Sequence, residues 1–453
     1  MANFPTRFAA IVSMTALMTL GTPAEGARIS LIRDAEIENT IRTFATPLFT
    51  AAGFDANQVR VHIVNDPRLN AFVAGGMNLF LNTGLLLASK SPEQVIGVIA
   101  HETGHIAGGH LARTQDALRG ASVATILAYV LGAAAIAAGS AEGGAAVILG
   151  GQSIAQQTFL QYSRSQEQAA DQFAVTVLDE TGQSAEGLLE FLEIMADQEV
   201  LLTSGRDPYL RSHPLTRDRI GFIRHHVETS PNTGRPPQSA LMEAFARMQA
   251  KLRGFLDPPD RTLARYPASD TGVEARYARA VAHYQRADLV PAFAEIDSLI
   301  AEHPDDPFFH ELKGQILFEN GRAAESIASY RRAVELLPDA PLLRVGLAQA
   351  MVETGDTAVL AEAAEHLETA VRQNHENVRA WRLLSVAYGR TDQPGLSALA
   401  SAERAFLVGR YGEAVAFAKR AADRLPFGAP GRLRAEDIEY AAENALEKQK
   451  NKN

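Results

Sequence analysis

The chain contains no cysteine among its 453 residues. That excludes disulfides, thiolate catalysis, Cys-ligated zinc and lipid attachment through cysteine. It leaves the compartment open, because a disulfide-free protein can live anywhere. Basic charge is also short: 43 Lys and Arg against 53 Asp and Glu give a net charge of −10. A general nucleic-acid binder needs a surplus of cations to neutralise phosphates, so no nucleic acid is expected as a partner. The 46% hydrophobic and 21% charged residues are ordinary globular material and argue against wholesale disorder. The length allows two or three domains.

Arg7 is followed by an uncharged stretch from Phe8 to Leu20, then by small residues from Gly21 to Ala27. A charged start, a short apolar centre and a small-residue zone make a secretory signal peptide over 1–27. The apolar part is too short to span a bilayer comfortably. Cleavage near Ala24 to Ala27 would release an exported protein without a membrane anchor.

Residues 31 to 52 carry apolar residues at helical spacing. Val59 to Val64 alternates like a strand, Asn65-Asp66-Pro67 reads as a turn, and the glycine pair Gly75-Gly76 separates two short strands, Asn70 to Ala74 and Met77 to Asn82. Residues 91 to 118 read as one helix, with Ser91 as N-cap, Pro92 at the first helical position and Gln94 completing a capping box. Residues 152 to 228 are helical in pattern, with breaks near Asp207-Pro208 and His213-Pro214. Proline-rich breaks at Thr229 to Ser239 and Asp257 to Asp260 bracket a bridging helix over 240 to 255.

Further on, Pro304 and Pro307 recur 34 residues later as Pro338 and Pro341. That period is the length of a tetratricopeptide repeat (TPR). Gly314, Leu317, Gly321, Tyr330, Ala333 and Pro338 stand at the expected offsets within one unit, and Trp381, Leu384 and Tyr388 fit the first helix of another. Stacked helix pairs of this kind form a superhelix with a concave face that binds extended peptide or a partner. The expected domains are a signal peptide (1–27), a first globular domain (28–230), a linker with its bridging helix (231–262), a TPR domain (263–428) and a C-terminal helix with a frayed tail (429–453).

His101-Glu102-Thr103-Gly104-His105 is an HExxH string inside the helix expected over 91 to 118. Residues four apart share a helix face, so both imidazoles can reach one metal while Glu102 projects beside them toward a water. A catalytic zinc needs a third protein ligand and an open fourth position. His110 stands five residues past His105, one short of the HExxHxxGxxH spacing, and is set aside. Glu167 is the better candidate, with Asp171 one turn later to accept a hydrogen bond from a ligand histidine.

HETGH, the downstream Glu167-Gln168-Ala169-Ala170-Asp171, and Asn70-Ala71-Phe72 with Asn82-Thr83-Gly84-Leu85-Leu86 together resemble the HtpX-type zinc metallopeptidases. The resemblance implies a zincin-type peptidase domain, mainly α with a small β-sheet, followed by an α-solenoid of TPRs. It implies one Zn2+ per chain on His101, His105 and Glu167, Glu102 as general base, and Asp171 supporting a ligand. His213, in Ser212-His213-Pro214, matches a loop that can bring a further histidine to the zinc and hold the enzyme off. Arg219 is placed to steady substrate or oxyanion, or else forms a surface ion pair. An exported, TPR-bearing member implies the periplasm, clients that are unfolded or misassembled outer-membrane proteins, and the β-barrel assembly machinery as a partner of the TPR face. The strand at Asn70, Ala71 and Phe72 would offer substrate an edge to pair with. A TPR chaperone or scaffold with little or no proteolysis is the competing reading.

Residues 121 to 141 carry no charge. His105 and Glu167 lie on either side of this run, so a single crossing of a bilayer would leave the two ligands of one metal on opposite sides of it. The stretch from 121 to 151 therefore reads as a flap, a surface for peripheral membrane or substrate contact, or a helix buried in the core.

Overall fold

The computed structural model describes residues 30–56, 58–74, 77–109, 164–201, 213 and 215–450, without side-chain detail at 198–201. The expected signal peptide, His110, and the apolar run at 121–151 lie outside the described residues.

Leu31–Ile32 forms a short strand, β1, and the helical pattern begins just after it, as α1 (Ala35–Ala51). Asp34 caps α1 by accepting a hydrogen bond from the Ile37 N–H at 2.9 Å. Then come β2 (Arg60–Val64), β3 (Ala71–Ala74), β4 (Asn78–Asn82), α2 (Thr83–Ala88) and α3 (Pro92–Ala107). β1 pairs antiparallel with β2, β2 parallel with β4, and β4 antiparallel with β3. Among the described residues the sheet order is β1-β2-β4-β3, which puts β3 at an edge and β4 inside.

Strand alternation sends Val61, Ile63, Leu79, Leu81 and Ala71 to one face, where they meet Ile41, Phe44 and Leu48 of α1 and Val95, Val98 and Ile99 of α3. Each of the larger side chains, fully buried, contributes about 1.5–3 kcal/mol over exposure. The same core takes in Ala174 and Leu178 from a helix over 164–180 (α4), Leu188 and Leu192 of α5 (Glu186–Leu201), Ile223 of α6 (Arg217–Thr229) and Phe245, Met248 and Leu252 of α7 (Ser239–Leu256). The helix expected as a bridge thus buries one face in the first core.

Two details of α3 differ from the sequence reading. The helix ends at Ala107 rather than 118, and Gly109 follows with φ of 58°. No capping box forms either. The Ser91 side chain makes no cap bond, and Gln94 Oε1 accepts from the Lys90 N–H at 3.0 Å. Gln94 Nε2 instead donates to Glu190 across the core at 2.8 Å, a tertiary partner that local spacing does not reveal.

After α8 (Pro259–Arg265) the chain runs as helix pairs: α9 (Val273–Gln285) with α10 (Leu289–Glu302), α11 (Pro307–Glu319) with α12 (Ala323–Leu336), α13 (Pro341–Thr354) with α14 (Thr357–Gln373), α15 (Val378–Arg390) with α16 (Pro394–Leu407), and α17 (Tyr411–Arg424) with α18 (Pro430–Lys450). Pro307 and Pro341 open α11 and α13, where a missing N–H costs nothing. A Cβ at Gly314 would stand 3.0 Å from the Tyr330 ring, so glycine is what lets the aromatic pack across the pair. None of the described helices is long and apolar enough to cross a membrane.

Charge joins the two halves. Lys251 of α7 is fully buried, with Nζ 2.8 Å from Asp34, 3.1 Å from Glu311 and 3.4 Å from Glu36. Arg247, one turn earlier, reaches Glu36 at 2.8 Å and Asp306 at 2.5 Å. The Tyr277 hydroxyl donates to Glu36 at 2.6 Å. Burial opposes the Lys251 charge, but Asp34 and Glu311 hold its pKa well above the ordinary value. Burial pushes Glu311 up to about 7 against the pull of Lys251, with Asp34 adding to the rise.

Candidate metal centre

Every residue of α3 from Gln94 to His105 is buried. His101 and Glu102 are 0% exposed. Such a helix tolerates two imidazoles and a carboxylate only if something inside the protein satisfies them. The partners come from α4. A Cβ at Gly104 would lie 2.8 Å from the Ala170 carbonyl oxygen and 2.9 Å from its Cα. The glycine inside HETGH is therefore what lets α4 approach closely enough to deliver Glu167.

His101, His105, Glu167 and His213 each offer one atom, and all four atoms lie within 4.8 Å of one another. His101 Nε2 is 3.2 Å from His105 Nε2, 3.3 Å from Glu167 Oε2 and 3.4 Å from His213 Nδ1. Glu167 Oε1 is 3.3 Å from His105 Nε2, and Oε2 is 3.2 Å from His213 Nδ1. A tetrahedral zinc with bonds of about 2.0–2.1 Å holds its ligands about 3.3–3.4 Å apart. The five separations match that spacing, and a His3Glu donor set suits zinc. The residues present therefore fit the ion.

The carboxylates hold the charge of the cluster in balance, and a metal would displace the proton that they hold on His101. Burial alone would lower His101, but Asp171 and Glu167 carry its pKa to about 9. Burial lowers His105. Burial works to raise Glu167, yet His213 and the bonds from the three histidines hold it well below the carboxylate range. A carboxylate kept ionised among imidazoles is the state a cation requires.

Asp171 and Arg219 form the layer behind. Asp171 Oδ1 lies 2.9 Å from His101 Nδ1, on the ring edge away from the ligand cluster. Arg219 is 2% exposed. Its Nε and Nη2 donate to the two Asp171 oxygens at 2.6 and 2.9 Å, and its Nη1 stands 2.9 Å from Glu167 Oε2. These bonds hold Asp171 below its ordinary pKa even though burial works the other way. The surface ion pair read as the alternative for Arg219 is not what forms, for the side chain is in the interior and bound to Asp171 and Glu167.

Glu102 lies beside the cluster with both carboxylate oxygens buried and without a hydrogen-bond donor among the described residues. His213 Nε2 stands 3.4 Å from Oε1. His213 thus turns Nδ1 to the ligand cluster and Nε2 to Glu102. Asn70, Ala71 and Phe72 run into the edge strand β3, on the sheet that packs against α3.

Residues 32–227 match the family model of peptidase family M48. The chain carries an M48 peptidase domain. It is a metallopeptidase by that family and by its buried His101, His105 and Glu167. Residues 297–398 match the TPR domain of cytochrome c-type biogenesis protein H. The chain is 25% identical to the beta-barrel assembly-enhancing protease of Yersinia pestis over 409 residues, covering 89% of this chain and 82% of that protein. It is 26% identical to the protein of the same name in Escherichia coli over 407 residues, covering 88% and 81%. Metalloprotease YcaL of Escherichia coli is 27% identical over 172 residues, covering 37% of this chain and 61% of that protein. An M48 domain followed by TPR-like helical repeats is therefore the architecture.

Proposed function

We propose that the protein is a zinc endopeptidase of the bacterial periplasm. It degrades misfolded or misassembled outer-membrane proteins and assists their assembly. The observation that carries the catalytic reading is the quartet His101, His105, Glu167 and His213, whose ligand atoms lie within 4.8 Å of one another, beside Glu102, which has no hydrogen-bond donor among the described residues. The client class and compartment rest on the names of relatives that match most of the chain.

In this reading His101, His105 and Glu167 hold the ion, and Asp171 and Arg219 keep His101 and Glu167 in place. Zinc, when bound, supplies Lewis acidity, lowering the pKa of water toward about 7 and polarising a carbonyl. Glu102 takes the proton of the attacking water on its carboxylate and delivers it to the leaving amine nitrogen. The substrate lies extended along β3, adding a strand to the sheet through backbone hydrogen bonds. That mode suits unfolded clients. His213 lies between the ligand cluster and Glu102, where the water must enter, so its position supports a resting state that the His213 side chain must leave before hydrolysis. The TPR superhelix binds clients or the β-barrel assembly machinery.

The test is Glu102→Gln. In cells lacking the wild-type protein, this variant should bind one zinc per chain and fail to degrade clients. If it also restores outer-membrane assembly, the scaffold activity is separate. If it degrades clients at the wild-type rate, the assignment of Glu102 is wrong.

A further inference from the structure

The sheet carries a row of rings on the face turned away from its core. β2, β4 and β3 are adjacent, and register places His62 opposite Phe80 and Phe80 opposite Phe72. The His62 and Phe80 ring centroids are 4.7 Å apart with 19° between planes, and those of Phe80 and Phe72 are 4.8 Å apart with 7°. Those separations equal the spacing of neighbouring strands, so each ring stacks on the next across the sheet. His62 is fixed at the inner end, its Nε2 3.0 Å from Asn78 Oδ1. The outer end is Phe72, on edge strand β3, beyond which no further strand pairs among the described residues.

We propose that the row continues into the substrate, so that Phe72 selects an aromatic residue at one fixed position of the client strand. This rests on the edge-strand reading given above. A strand that pairs with β3 places one residue directly across from Phe72 at the same spacing, and a planar ring there becomes the fourth in the stack. Residues of the client two places away on either side share that face. One of them meets Ala74, which is opposite Asn78, and the other meets Asn70, whose carbonyl accepts from the Asn82 N–H at 3.0 Å. Neither Ala74 nor Asn70 offers a ring. The preference is therefore for a single aromatic, not for the alternating pattern of a whole strand. Aromatic pairing of this kind corresponds to roughly a threefold to tenfold preference over alanine.

Two readouts on the full-length protein test it. The first maps cleavage sites in a mixture of unfolded peptides by the zinc-loaded enzyme. The second measures binding of a fluorescent peptide, with Phe or Ala at its central position, to the Glu102→Gln variant. Phe72→Ala and Phe72→Leu are compared in each background, with unfolding temperatures to establish that they fold. The expected result is aromatic enrichment at one offset from the cut bond and threefold to tenfold tighter binding of the Phe peptide. Phe72→Ala should lose both, and Phe72→Leu should keep a weaker apolar preference. Cleavage without enrichment, or enrichment that survives Phe72→Ala, would overturn the proposal while leaving the peptidase reading intact. Phe72-dependent binding without cleavage by any form would support the row and count against the peptidase reading.

Discussion

Replacing Arg219 by methionine isolates what the layer behind the candidate ligands contributes. Glu102, Glu167 and Asp171 bring three negative charges into a buried site, their side chains 0%, 3% and 1% exposed. Zinc would supply two positive charges and Arg219 the third, so the loaded centre is neutral only with the guanidinium in place. Methionine keeps the length and apolar stem but removes both guanidinium bonds from Asp171, leaving it His101 Nδ1, and deprives Glu167 Oε2 of its 2.9 Å contact. Removing one partner of a buried, hydrogen-bonded ion pair costs about 3–5 kcal/mol. Loss of an outer partner of a metal ligand weakens metal binding about 10–100-fold. Arg219→Lys should fall between, because one ammonium cannot serve three oxygens that three guanidinium nitrogens now reach. The assay is zinc competition against a chromophoric chelator, paired with thermal unfolding of the zinc-loaded and chelated forms. Wild-type zinc affinity within twofold, together with an unchanged unfolding temperature in Arg219→Met, would refute the reasoning.

Gly104→Ala places a methyl 2.8 Å from the Ala170 carbonyl and should force α4 away, lowering bound zinc below one per chain and costing about 1–3 kcal/mol; full zinc by elemental analysis would contradict this. His213→Ala should raise peptidase kcat while retaining zinc, whereas equal or lower kcat would remove the switch. The folded pKa of Glu311, at about 7, is above the usual carboxylate value of 4.5, so its contribution to stability is complete below pH 4.5 and lost as pH rises through 7. The unfolding temperature of Glu311→Gln should therefore gain on wild type between pH 5 and 8, by no more than about 3 kcal/mol in stability; a gap that does not change with pH would contradict the account.

The candidate ligand cluster was more legible than its support. HETGH declares itself because its spacing places three functional groups on one helix turn. Glu167 and Asp171 could be read from a second pair four apart, and His213 through a loop resemblance. Arg219 could be singled out, but its buried partners could not, since they stand 48 and 52 residues upstream at Asp171 and Glu167. The same distance problem hid the buried charges around Lys251. Asp34, Glu36, Lys251 and Glu311 each look like ordinary surface charges in their own segments. The one local signal was a lysine on the apolar face of α7, between Met248 and Leu252. Alternation and the glycine pair marked β3 and β4 as strands, but only the pairing puts β3 at the edge and β4 within the sheet. Gln94 shows the converse: local spacing suggested a cap, and Glu190 from α5 took the amide instead.

The most direct test of the central claim is degradation of an unfolded casein-like protein by the purified protein. It is run with and without a zinc chelator, after zinc is restored, and beside the Glu102→Gln and His213→Ala forms. The account predicts cleavage that chelation abolishes, that zinc restores, that Glu102→Gln lacks and that His213→Ala increases. Cleavage that survives chelation or Glu102→Gln would contradict it, and so would the absence of cleavage by every form with one zinc bound.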